Sequence, residues 1–210
     1  MRRVFVDPAA PQRDAIWEAA KWIRLGRVVA IPTDTLYGLA VDPFQAEAVA
    51  RVFAAKGRGS ERALPLIAGD REQVTRTLGE LPPAGRRLAD RFWPGPLTLL
   101  IAAAPALAPD VTAGTGKVGV RVPDHDVARR ICAAAGTPIT ATSANRSGQP
   151  ATDDPAVVED TLGAVVDFLI DAGRTAGGPP STIVDVTVPE VALIRAGAIP
   201  WEAVQACLAA

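Results

Sequence analysis

The chain is short of the residues on which most familiar enzyme classes depend. It has one histidine in 210 residues, His125, set between Asp124 and Asp126. That setting suits the start of a surface helix better than a general base, so a Ser-His-Asp hydrolase would rest on an unfavourable residue. The two cysteines, Cys132 and Cys207, lie far apart in apolar, helix-like stretches, the pattern of buried thiols rather than of a disulfide or metal framework. No G-x-x-x-x-G-K-[ST] phosphate loop, G-x-G-x-x-G fingerprint, G-x-S-x-G elbow or His-rich metal spacing occurs. Nor is there a run of about 18 apolar residues, and Arg2 and Arg3 lead only into Val4 to Val6, too short for a signal-peptide core. A cytoplasmic location and no membrane partner are expected. Charge of one sign is lacking too: 22 basic residues against 23 acidic ones leave a formal charge of -1. A broad electrostatic grip on nucleic acid is therefore not indicated, and any basic site must be local.

What is present is a globular α/β composition, 49% hydrophobic and 21% charged, at a length that suits one well-buried core. A single domain over residues 1–210 is expected, with no further domain after the last helix. The pattern predicts a helix from Asp14 to Leu25, with Ile16, Ala19, Ala20 and Ile23 on one face and Gly26 as its cap. A strand over Arg27 to Ile31, a helix over Ala46 to Ala55 and a polar loop over Lys56 to Arg62 follow. Next come a strand at Leu64 to Ala68, helices at Asp70 to Leu78 and Ala84 to Phe92, the Trp93-Pro94-Gly95-Pro96 turn and a strand at Leu97 to Ala102. A long loop, Pro105 to Lys117, precedes a strand at Val118 to Val122 and a helix at Asp126 to Ala135. The strand Pro138 to Thr142 then delivers Ser143 to Gly148 as a loop at its carboxyl end, the edge where ligands gather in open α/β sheets. Strands at Val165 to Ile170, Ser181 to Val186 and Val191 to Arg195, and a helix at Trp201 to Leu208, complete an open twisted sheet flanked by helices.

The residues left to do chemistry are cations and hydroxyls near strand ends. Lys56, Arg58 and Arg62 share one loop, Lys117 and Arg121 flank a strand, and Arg195 ends the last one. Each alone reads as a solvated surface charge. Arg121 in Val-Gly-Val-Arg-Val-Pro and Arg195 in Leu-Ile-Arg-Ala-Gly stand in apolar strands, where an unpaired guanidinium is costly and a bound anion would remove the cost. Arginine's planar fork suits a carboxylate or phosphate, and lysine's compact charge suits a polyphosphate. Pro32 to Leu39 gathers hydroxyls and a glycine after a strand, and Ser143-Ala144-Asn145 follows another. By themselves both are ordinary turn or cap chemistry.

Together these segments resemble the YrdC-like threonylcarbamoyl-AMP synthase family. Pro32 to Leu39 is similar to its P-T-[DE]-T-x-Y-G-L signature, Lys56-Gly57-Arg58 with Pro65-Leu66 to its K-x-R loop, and Ser143-Ala144-Asn145 to its S-x-N motif. Trp93 to Thr98, Val120 to Pro123, Ser181 to Asp185 and Ile194 to Gly197 match further blocks in the same order, so that the resemblance spans Gly26 to Ala198. It implies a YrdC-like fold, a twisted open mixed sheet with a concave basic cavity. It also implies an adenylating enzyme that joins L-threonine, bicarbonate and ATP into threonylcarbamoyl adenylate and pyrophosphate. Thr35, Arg121, Ala141 and Ser181 are then expected at the threonine. Lys56, Arg58, Arg62, Lys117, Ser143, Asn145 and Arg195 are expected around ATP, with Lys56 and Arg58 catalytic. Magnesium is expected on the ATP phosphates and no protein-held metal, since no acidic cluster suggests a cage. A tRNA-modifying transferase complex would consume the product. The competing expectation is an RNA-binding module that uses the basic concavity. Weak RNA binding is compatible with either.

Overall fold

The computed structural model describes residues 1–57 and 59–209. Arg58, one of the two expected catalytic residues, lies outside them. The strands are β1 (Arg2–Phe5), β2 (Val29–Ile31), β3 (Gly38–Ala40), β4 (Leu66–Ile67), β5 (Leu97–Ala102), β6 (Lys117–Arg121), β7 (Ile139–Thr140), β8 (Thr142–Ser143), β9 (Phe168–Asp171), β10 (Thr182–Asp185) and β11 (Ala192–Arg195). The helices are α1 (Arg13–Arg24), α2 (Ala46–Lys56), α3 (Arg71–Leu78), α4 (Pro83–Phe92), α5 (Asp126–Ala135), α6 (Pro155–Leu162) and α7 (Trp201–Ala209).

The strands form a mixed α/β core, resolved by hydrogen bonding into a five-stranded sheet, β1-β9-β2-β3-β8, and a six-stranded sheet, β11-β10-β5-β6-β4-β7. Both combine parallel and antiparallel pairs. The segment Pro138 to Thr142, expected as one strand, divides at Ala141: Ile139–Thr140 pairs with β4 in one sheet, and Thr142–Ser143 pairs with β3 in the other. Ala141 donates its N–H to Pro65 O at 2.9 Å. The break has a physical cause. A strand that changes sheets must turn its hydrogen-bonding edge, and one residue between two short ladders allows that turn. The sheets are stitched alongside by Thr140 N to Val41 O at 3.0 Å and by Val41 N to Thr140 Oγ1 at 3.0 Å.

Helices cover both faces. On one side Ala19, Ala20 and Ile23 of α1 meet Val127, Ile131 and Cys132 of α5 over Val29, Ile67, Ile139 and Phe168. On the other, α2, α4, α6 and α7 bury Val49, Val52, Leu88, Leu162 and Val204 against Leu39, Leu66, Leu97 and Val120. The α5 boundaries follow from its apolar stripe and from Gly136, which caps it at φ 81° in the left-handed region. The expected loop Pro105 to Lys117 contains a short 3-10 helix, Pro109–Thr112, whose Val111 O accepts from Leu64 N at 2.9 Å.

Candidate functional site

A cleft of about 500 Å³ opens where the two sheets part. Its walls come from both: the β2–β3 turn and β8 on one side, β4, β5, β6, β10 and β11 on the other. Of the expected residues, Thr35, Arg62, Arg121, Ala141, Ser143, Ser181 and Arg195 line it. The chain thus brings together segments more than a hundred residues apart, because β6 and β10 both flank β5 while the sheet change at Ala141 carries β8 to the opposite wall.

Arg121 is 9% exposed. The sequence reading left its guanidinium unpaired until an anion arrived, but Asp34 already meets it: Arg121 Nη1 donates to Asp34 Oδ1 at 2.5 Å and to Oδ2 at 2.7 Å. This corrects that expectation. A buried guanidinium beside a turn that can supply a carboxylate finds an internal partner. Its other N–H groups have no protein partner among the described residues. Arg195 was expected in a buried strand as well, yet β11 is the edge of its sheet, and Leu193, Ile194 and Arg195 are exposed. Burial of its head group, and next the repulsion of Arg121, hold the Arg195 pKa below the usual arginine value.

Arg195 reaches back to Ser181, donating from Nη2 to Ser181 O at 2.7 Å and to Ser181 Oγ at 3.1 Å. Ser181 Oγ also lies 2.9 Å from Thr98 Oγ1. This corner depends on Gly197. A Cβ there would sit 2.3 Å from Pro180 O and 2.5 Å from Thr182 N, so only glycine lets the chain after Arg195 lie against the Ser181 backbone. On the facing wall Thr35 Oγ1 is 3.2 Å from Thr33 Oγ1. The Thr35 carbonyl accepts from Gly177 N at 2.9 Å and from Thr175 Oγ1 at 2.7 Å.

Lys56 lies elsewhere. It is 3% exposed and does not line the cleft, whereas the sequence reading made it a solvated phosphate ligand. Its Nζ donates to Ser143 O at 2.6 Å, Asn145 O at 3.0 Å and Asn145 Oδ1 at 3.2 Å. The amine at the end of α2 is drawn into a ring of carbonyls because the loop after β8 turns its oxygens inward. Asn145 is likewise engaged in its own loop: Ser143 Oγ donates to Asn145 Oδ1 at 2.5 Å, and Asn145 Nδ2 donates to Gln149 O at 2.5 Å. Lys117 is also outside the lining. Across the intervening β5 it pairs with Asp185 at the end of β10, at 2.7 Å. Burial alone would raise the Asp185 pKa, but hydrogen bonds from Lys117 and Thr187 outweigh it and leave the pKa below the usual carboxylate value.

His125 departs from the surface residue expected. It caps α5, but its Nδ1 is buried with no hydrogen-bond partner among the described residues, and burial holds its pKa down against the pull of Asp34. Cys132 is a buried free thiol, its pKa raised by burial; Cys207 is half-buried. Among the described residues no cluster of three or more His, Cys, Asp or Glu could hold a metal ion, and no helix is long and apolar enough to cross a membrane.

Thr98 and Gly119 also line the cleft and were not among the expected site residues. Gly119 carried a signal: two residues before Arg121 it shares that residue's face of β6, and a Cβ there would come within 3.1 Å of Thr98 Cγ2. A glycine inside a strand marks close approach, here the floor of the cleft. The arrangement offers guanidinium donors, hydroxyls and backbone groups on an open cleft. It can bind and align anions, and among the described residues it has no evident nucleophile or base.

The Sua5_yciO_yrdC family model, described as "Telomere recombination", matches residues 21–197. The chain is 39% identical over 188 residues to a threonylcarbamoyl-AMP synthase of Pyrococcus abyssi, which covers 89% of the chain and 55% of that relative. It is 38% identical over 201 residues to a putative threonylcarbamoyl-AMP synthase of Mycobacterium leprae, covering 95% of the chain and 90% of the relative. Among solved structures, P. abyssi Sua5 complexed with L-threonine superposes with a TM-score of 0.92 at 34% identity, over 99% of the chain and 61% of that protein. The chain therefore spans little more than half the length of the P. abyssi relative.

Proposed function

The chain belongs to the Sua5/YciO/YrdC family, and from that footing we propose that it is a threonylcarbamoyl-AMP synthase, forming threonylcarbamoyl adenylate and pyrophosphate from L-threonine, bicarbonate or carbon dioxide, and ATP. The observation that carries this reading is Arg121. It lines a cleft that Ser181 and Thr35 line as well, its Nε and Nη2 have no protein partner among the described residues, and the fold is that of a relative crystallised with L-threonine. An arginine fork flanked by hydroxyls suits an amino acid that carries both a carboxylate and a hydroxyl.

The threonine carboxylate is set on Arg121, with the backbone around Ala141 beside it. The amine then takes up carbon dioxide with loss of a proton, or bicarbonate with loss of water, to give a carbamate. A carbamate oxygen attacks the α-phosphorus of ATP, the bond to the β-phosphate breaks, and pyrophosphate leaves. This chemistry needs alignment and charge neutralisation more than a protein base. Arg62 and Arg195, which line the cleft, would meet the phosphates in this reading; the sequence resemblance adds Arg58. Ser143 and Asn145 shape the nucleotide side of the cleft, and Lys56 acts through their loop. Lys117 has no part in this reading. Magnesium, bound to the triphosphate, would neutralise charge on the phosphate oxygens, and a donor set of cations, hydroxyls and carbonyls fits a metal that arrives that way. A separate transferase would then place the threonylcarbamoyl group on tRNA. The formal charge of -1 gives no support to nucleic-acid binding as the main activity.

The test is pyrophosphate release from ATP with threonine and bicarbonate each omitted in turn. Release that needs all three is expected. Release indifferent to threonine, or none at all, would contradict the reading.

A further inference from the structure

Asp34 meets Arg121 outside the cleft: it is half-buried with a side chain 10% exposed, and it is absent from the lining that contains its neighbours Thr33 and Thr35. Both of its oxygens sit on a single nitrogen, Arg121 Nη1. A carboxylate competing for the ligand's place would fork across two nitrogens, as arginine prefers. This one takes one nitrogen and leaves Nε and Nη2 without a protein partner among the described residues.

We infer that Asp34 is a positioning residue: it holds the Arg121 guanidinium so that its remaining edge receives the carboxylate of an amino acid in the cleft. The inference deepens the function proposed above and rests on the role given there to Arg121. The carboxylate is itself held. Asp124 N donates to Asp34 Oδ2 at 3.3 Å. The turn on either side is pinned by Thr33 Oγ1, which donates to Leu36 O at 2.7 Å and accepts from Thr35 N at 3.2 Å. Asp34 has an electrostatic task as well. Arg121 and Arg195 are near enough for the first to depress the pKa of the second. A carboxylate paired with Arg121 neutralises part of the positive charge on that wall of the cleft.

The experiment compares L-threonine with threoninol, in which a hydroxymethyl group replaces the carboxylate. Both are titrated calorimetrically into wild type, Asp34→Asn and Asp34→Glu, and steady-state turnover is measured on the same proteins. Asp34→Asn is expected to lose about tenfold or more in threonine affinity, while threoninol affinity stays within about twofold. Its KM for threonine should rise more than its kcat falls, and Asp34→Glu should recover part of the loss. Asp34→Ser carries the same expectation as the asparagine variant and replaces it should that one not fold. Unchanged threonine affinity, or equal losses for both ligands, would overturn the inference, the second outcome marking a merely structural turn. A wild type that binds threonine no better than threoninol would instead overturn the role of Arg121, and the function proposed above with it.

Discussion

The Arg121 wall of the cleft and the Lys56 loop beside it are both built around a buried cation, and they use its hydrogen bonds in opposite ways. Arg121 places one nitrogen on Asp34 and leaves its other donors without a protein partner among the described residues. Lys56 turns its ammonium onto the carbonyls of Ser143 and Asn145, inside the protein. Arginine can do the first because its five donors are spread over a rigid plane, so that one edge can be anchored while another stays available. Lysine's donors share one nitrogen, and a ring of carbonyls draws them together. In the function proposed above, the difference separates a residue that would read a ligand from one that would shape the loop next to it.

The comparison breaks most severely at Gly197, which supports the ligand-reading wall from behind. In Gly197→Ala the new Cβ would meet backbone at 2.3 to 2.5 Å, contacts that only a shift of the Ser181 segment relieves. A loss of roughly 3 kcal/mol or more is expected, with weaker threonine binding because Ser181 and Arg195 move together. Thermal melting and threonine titration check both. Lys56→Met keeps the length of the side chain and removes the charge. Carbonyls that had accepted a charged donor lose it, at about 1.5 to 3 kcal/mol. In a chain of 210 residues that is a fall in Tm of about 3 to 12 °C. The account expects this drop to come with a smaller change in threonine affinity than any variant of Arg121 produces; the reverse ordering would cancel the distinction.

The smallest effect belongs to the Lys117–Asp185 pair, which touches neither ligand wall. The Asp185 pKa is lowered on folding, so its contribution is present above the unfolded value, near pH 4, and is lost as pH falls through the lower folded one. With Lys117 partly exposed, Lys117→Gln should cost under about 1 kcal/mol at neutral pH. The gap from wild type should close in acid, as urea melts at several pH values would reveal.

Much of this arrangement is legible in the sequence where the signals are local. Asp126–Ala135 and Leu97–Ala102 form the helix and strand their patterns predict, since an apolar stripe closed by Gly136, and an apolar run opened by Trp93-Pro94-Gly95-Pro96, act within a few residues. The strand Arg2–Phe5 escapes the reading because it is short, charged and at a sheet edge. Gly38–Ala40 escapes because a glycine-led triplet gives no alternation, and Pro155–Leu162 because two turns of helix show little periodicity. The run Val191 to Ile194 reads as buried because apolar residues can also occupy an exposed edge, and only the sheet order tells the two apart. The family blocks mark the site residues, yet their partners are remote: Asp34 and Arg121 are separated by 87 positions, as are Lys56 and the Ser143 carbonyl. No local pattern says which cation will be paired inward and which will keep donors for a ligand.

The most direct test of that division is a calorimetric titration of L-threonine into wild type and Arg121→Ala, each verified as folded by circular dichroism. The account predicts saturable binding to wild type and a loss of at least about thirtyfold in the variant, the lower end of the cost of removing one partner from a buried charge pair. Equal affinity in the two proteins would contradict it.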